Sequence, residues 1–131
     1  LKHDKLNIRL LGFVDANEVV NELCEADVYV HTAIIDNSPN SLCEAQLIGC
    51  PVIATNIGGI PQLVDNGRTG ILFPYNEPHT LAFTLMNIHG NKKLLESISL
   101  EEWLVSHERH DEKAIMQRLN SIYLEIINSN K

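Results

Sequence analysis

The chain has 131 residues, with 10 Lys or Arg against 17 Asp or Glu, a net charge of −7. Hydrophobic residues make up 44% and charged residues 21%, the balance of a domain with a real core, which excludes a disordered chain. An acidic chain without a basic stripe excludes nucleic acid as the main partner. No apolar run is long enough for a membrane span, and the polar start LKHDK carries no signal-peptide core. Cys24, Cys43 and Cys50 match neither a CxxC redox pair nor a zinc ligand set. All three read as buried thiols in a reducing compartment, so the chain is read as cytoplasmic.

Strand and helix signals alternate along the chain. Residues 6–11 (LNIRLL) read as a strand ending at Gly12. Residues 17–26 place Val19, Val20, Leu23 and Ala26 at helical spacing. Residues 27–32 (DVYVHT) read as a strand, 42–49 as a helix, and 51–55 (PVIAT) as a strand. Gly58-Gly59 makes a turn before a short helix over 60–64, and Asp65-Asn66-Gly67 a turn before a strand over 70–73. Helices follow over 77–88, with Pro78 at a first helical position, over 92–105 and over 111–127. The last puts Ile115, Leu119, Ile122 and Ile126 on one stripe, and residues 92–131 form a C-terminal helical segment of the same domain. The mixed charges from Glu101 to Arg118 read as a solvated face. Such alternation implies βαβ units and a mostly parallel sheet.

The stretch richest in chemistry is Asp36-Asn-Ser-Pro-Asn-Ser-Leu-Cys-Glu44, after a strand and opening a helix. Ser38 reads as the N-cap and Pro39 as the first helical residue. The N–H groups of Asn40, Ser41 and Leu42 are then free, and a helix start with roughly half a positive charge suits a phosphate. In a parallel sheet this loop lies at the carboxyl edge, where ligands bind. Glu44 stands one turn past Asn40, on its side of the helix, with Leu42, Ala45 and Ile48 turned inward. A carboxylate there accepts hydrogen bonds from the two hydroxyls of a ribose, and Asp36 reaches toward a sugar beyond the phosphates. The residues alone leave plainer alternatives open: Ser38 as a cap with no ligand, Glu44 as an acid near a helix start, Asp36 as a turn residue.

Asp36-x7-Glu44-Ala45, Gly49-Cys50-Pro51-Val52-Ile53, Gly58-Gly59-Ile60-Pro61 and Asn66-Gly67-Arg68-Thr69-Gly70, in that order, resemble the C-terminal nucleotide-sugar domain of the group-1 (family 4) retaining glycosyltransferases. Arg109-His110-Asp111 with Ile122-Tyr123 is similar to that family's C-terminal helix. The resemblance implies the GT-B fold. For this chain that means a Rossmann-like α/β domain with a mostly parallel sheet of about four strands and flanking helices, lacking its first strands. It implies that Glu44 binds the ribose, that the backbone of Asn40, Ser41 and Leu42 beside Ser38 holds the diphosphate, and that Asp36 touches the donor sugar. Phe13 and Val14 would border the base. No metal or other cofactor is implied; the substrate is a nucleotide-diphosphate sugar of the UDP or GDP type. This chain departs from the family pattern at Asp36, where Glu is usual, at Pro39, and at Gln62, where Glu is common.

Family members have two Rossmann domains, so the resemblance also implies a fragment. The glycan or lipid-linked acceptor would meet the missing N-terminal domain, with the intact enzyme cytoplasmic or peripheral at the inner face of the membrane. No suitably placed Lys or Arg is evident for the departing diphosphate, so the isolated chain is expected to be inactive. With its neighbours gone, the 6–11 strand is expected either to pair with the 27–32 strand or to leave an edge for a second copy to cover, giving a dimer. The competing reading is a non-catalytic nucleotide-binding or interaction module of Rossmann-like fold. His31 reads as a core or rim residue, Trp103 with Leu100, Leu104 and Val105 as helix packing, and His107, Glu108 and His110 fit no common metal spacing.

Overall fold

A computed structural model describes residues 7–129. In chain order they carry α1 (Ala16–Glu25), β1 (Tyr29–His31), α2 (Asn40–Ile48), β2 (Val52–Thr55), α3 (Ile60–Leu63), β3 (Ile71–Phe73), α4 (Pro78–Ile88), α5 (Lys92–Arg109) and α6 (Glu112–Ser129). The strands form one parallel sheet in the order β1-β2-β3. Tyr29 pairs with Val52 and His31 with Ala54; Ile53 pairs with Ile71 and Thr55 with Phe73.

The apolar start of β2, Val52 to Ala54, follows from this position. All four of its residues are buried, and successive side chains enter opposite layers. Val52 and Ala54 join Leu23, Leu42, Ala45 and Ile60 on one face. Ile53 joins Phe73 and Ile88, flanked by Leu81, Leu85, Leu94 and Leu95, on the other. The outcome is an α/β domain with helices on both faces of its sheet.

Local signals set the helices. Asp15 caps α1 by accepting the Glu18 N–H at 3.0 Å. At the far end of α2, Gly49 takes a left-handed φ of 84°. Carbonyls at that end also accept from α5: Ser99 donates to Gly49 at 2.7 Å and Ser106 to Gln46 at 3.1 Å. Arg109 reaches the Gln46 side chain at 3.2 Å and the Leu63 carbonyl at 3.0 Å.

Several expectations from the sequence need correction. The sheet has three strands among the described residues, not four: residues 7–11 of the expected 6–11 strand lie outside it, with Ile8 73% and Leu10 91% exposed. (Leu6 itself lies outside the described residues.) They therefore do not pair with β1. β-Type residues make a strand only where a ladder and a covering layer receive them, and among the described residues this run joins no strand. Of the cysteines only Cys50 is buried; Cys43 is half-buried and Cys24 exposed. Within the charged stretch expected to be solvated, Glu102 is fully buried. The stripe of α6 is apolar as read, yet Ile115, Leu119, Ile122 and Ile126 are each at least 40% exposed.

Candidate functional site

The site is built at the carboxyl end of β1, where the chain passes through residues 32–39 into α2. Ser38 is not the cap of that helix. Its N–H is bound by the Asp36 carboxylate at 3.2 Å, a turn closed by the short acidic side chain, and Pro39 takes the N-cap place with an extended ψ of 116°. The first bond of the helix runs from the Cys43 N–H to the Pro39 carbonyl at 3.2 Å. The N–H groups of Asn40, Ser41 and Leu42 thus remain without an intrahelical acceptor, as the sequence suggested, although the helix begins one residue later.

Behind this loop sits the Gly58-Gly59 turn. A Cβ on Gly59 would lie 1.9 Å from the Asn37 carbonyl oxygen, and one on Gly58 2.1 Å from that of Asp36. The Gly59 N–H donates to the Asp36 carbonyl at 3.2 Å. The two glycines are thereby explained as a backbone-on-backbone buttress that no side chain fits.

Along α2 the two faces separate cleanly. Leu42, Ala45 and Gln46 are buried, whereas Asn40, Ser41 and Glu44 are exposed. The buried set differs from the expected one: Ile48 is only half-buried and Gln46 takes a core place, donating to the Leu63 carbonyl at 3.0 Å. Leu42 therefore offers only its backbone to a ligand. Glu44 lines a cavity of about 410 Å³ together with Val14, Ala16, Val19, Val20, Leu47 and Ile48. The other lining residues are apolar, and Val14 among them comes from the chain just before α1. Val14 is thus brought to Glu44, while Phe13 is fully exposed and not part of this lining.

One group passed over as a rim residue lies in the site. His31, at the end of β1, has a side chain 12% exposed, and its Nε2 is 3.6 Å from Asp36 Oδ2. Its Nδ1 is 3.3 Å from the Tyr29 hydroxyl, which bonds Ser41 Oγ at 3.0 Å. The signal that finds it is strand periodicity: Tyr29 and His31 are two apart and share a face of β1. Among the described residues no group of three or more His, Cys, Asp or Glu is gathered as for a metal ion, His107, Glu108 and His110 included.

The family model described as "Glycosyl transferases group 1" matches residues 1–91 of the chain. The colanic acid biosynthesis glycosyltransferase WcaL of Salmonella typhimurium is 31% identical over 122 residues, covering 88% of this chain and 30% of that protein. HepE of Anabaena, solved with UDP and glucose, superposes with a TM-score of 0.77 at 24% identity, over 89% of this chain and 32% of its own. Sucrose-phosphate synthase of Thermosynechococcus elongatus gives 0.79 at 21% identity, over 91% and 30%. The fold is that of the Rossmann-like half of these GT-B proteins. The chain spans roughly a third of the length of the relatives it matches.

Proposed function

The chain belongs to the group 1 glycosyl transferases, and from that premise we propose that it is the donor-binding part of a retaining glycosyltransferase, which moves a hexosyl unit from a nucleotide-diphosphate sugar to a glycan or lipid-linked acceptor. The observation that carries this reading is the placement of Glu44. It is exposed, one turn past the free N–H groups of Asn40 and Ser41, and it opens with Val14 onto one cavity. In this reading the ribose hydroxyls donate to the Glu44 carboxylate, and the diphosphate accepts from the backbone N–H groups of Asn40, Ser41 and Leu42. The base lies toward Val14 and Phe13. Asp36, on the other side of the helix start, meets the hydroxyls of the donor sugar. HepE, solved with UDP-glucose, supports a nucleotide sugar as the ligand class, and WcaL, a colanic acid biosynthesis glycosyltransferase by name, supports polysaccharide biosynthesis as the setting.

The chemistry asked of these groups is charge stabilisation. Breaking the glycosidic bond to the diphosphate leaves negative charge on the leaving oxygens. The start of α2 meets it with donors fixed in place and a dipole worth roughly half a charge. That is too little for a diphosphate by itself. Arg68 is occupied by Asp65 and Glu101, and Arg109 by Gln46 and Leu63. The isolated chain is therefore proposed to bind its donor without transferring the sugar, and turnover above background would refute that. No helix among the described residues is long and apolar enough to cross a membrane; we place the intact enzyme in the cytoplasm, at most peripheral to the inner face of the membrane.

Thermal unfolding with UDP, UDP-glucose, GDP and GDP-mannose tests the reading. A ligand at about one hundred times its Kd stabilises the native state by about 2.7 kcal/mol. Stabilisation by at least one of the four that disappears in Glu44→Ala is the expected result. An undiminished response in Glu44→Ala removes the ribose assignment.

A further inference from the structure

Asp36 is held on one side and faced on the other, and the second neighbour has no explanation in local turn chemistry. Its Oδ1 takes the Ser38 N–H, as the turn requires. Its Oδ2 faces His31 Nε2 at 3.6 Å, a buried nitrogen with no hydrogen-bond partner of its own. A buried imidazole nitrogen left without a partner is costly, and here the one acidic oxygen beside it is less than an ångström beyond bonding distance. The other ring nitrogen is tied through the Tyr29 hydroxyl to Ser41, in the first turn of α2. The imidazole thus spans the two ends of the site: the sugar end at Asp36 and the diphosphate end at Ser41. It does so from β1, which pairs with the central strand β2.

We propose that His31 is a positioning residue for the donor sugar: with Nε2 set 3.6 Å from the Asp36 carboxylate and Nδ1 braced on Tyr29, whose hydroxyl donates to Ser41, it fixes where that carboxylate stands relative to the diphosphate. This rests on the donor-binding reading above. A carboxylate anchored only through Oδ1 swings about its Cβ–Cγ bond, and a donor-sugar contact loses strength when its acceptor wanders. The second anchor also accounts for the shorter acid at this position. Asp36 lies closer to the backbone than a glutamate carboxylate would, within reach of both the Ser38 amide and the His31 ring.

The test is the ratio of affinities for UDP-glucose and UDP, measured by calorimetry on the full chain. Asp36→Asn serves as the benchmark for the sugar contact. His31→Phe keeps the ring volume and removes both nitrogens; His31→Gln returns a donor near the Nε2 position. The expected result is a loss of about tenfold in the preference for UDP-glucose in Asp36→Asn and in His31→Phe, with UDP affinity held, and a partial return in His31→Gln. A purely structural role for His31 moves both ligands together, or neither, and that outcome overturns the proposal. A ratio that falls in Asp36→Asn yet stays at the wild-type value in His31→Phe also overturns it, and leaves the donor site standing. A ratio indifferent to Asp36→Asn, or a wild-type chain that binds neither ligand, overturns the donor-site reading itself.

Discussion

Glu102 offers the sharpest physical test of the packing behind the site. It lies on α5 with no exposed surface, and neither carboxylate oxygen has a hydrogen-bond partner. Burial pushes its carboxyl from an ordinary 4.5 to about 9, and the Val52 backbone opposes this without a formed hydrogen bond. At neutral pH the native chain therefore holds a proton that the unfolded chain releases. The unfolded state binds fewer protons throughout the window from 4.5 to 9, so stability is full below that window and falls by about 1.4 kcal/mol for each pH unit within it. At pH 7 the accumulated cost is about 3 kcal/mol. Glu102→Gln keeps the shape and removes the ionisation. Urea unfolding followed by Trp103 fluorescence at intervals from pH 4 to 8 measures both proteins. The variant is expected to match the wild type near pH 4 and to exceed it by about 3 kcal/mol at pH 7. Parallel pH profiles for the two would mean that the carboxylate is ionised and solvated in the native state, and the argument from burial would fail.

Two further outcomes bear on the site. Gly59→Ala drives a methyl group into the Asn37 carbonyl, so it is expected to cost at least about 2 kcal/mol in urea unfolding and to displace the loop that carries Asp36. An unchanged midpoint together with unchanged amide shifts at residues 36–41 would contradict the buttress. Leu42→Ala empties a wholly buried place between α2 and the sheet, and is expected to destabilise by about 2–5 kcal/mol in the same assay. A loss below about 1 kcal/mol would show that α2 is held by something other than this contact.

The alternation of apolar runs and turn signals was enough to place three parallel strands and the helices between them, because each such run has a covering layer to receive it. Residues 6–11 carry the same β-type composition, and 7–11 stand exposed. A strand is a relation to a neighbour, and composition does not say whether the neighbour is there. The face of α2 that bears Glu44 was legible for the opposite reason: helical spacing fixes which residues share a side whatever surrounds them. The cap was not. Ser38 is a good capping residue, but Asp36 closes a turn onto its N–H and the helix starts one residue later, with Pro39 in the N-cap place and no side-chain cap. Glu102 was hidden among the charges of its own helix, since periodicity in a mixed-charge stretch carries no mark of which acid points inward. His31 escaped for want of its partners, which come from the loop and from α2. Those long-range companions, like the serines with which α5 grips α2, appear only once the chain has folded.

That grip has a mechanical corollary. With Ser99 and Ser106 pinned to its rear carbonyls, α2 behaves as a rigid rod clamped at the back and held at the front through Leu42 and the Tyr29–Ser41 bond. Nine residues of helix measure about 13 Å, so tipping the clamp by about 5° swings the tip by about 1 Å. An error of that size in aligning reacting groups slows a reaction by about a hundredfold. Whatever leans on the outer surface of α5 therefore holds a long-handled control over where the first turn of α2 stands.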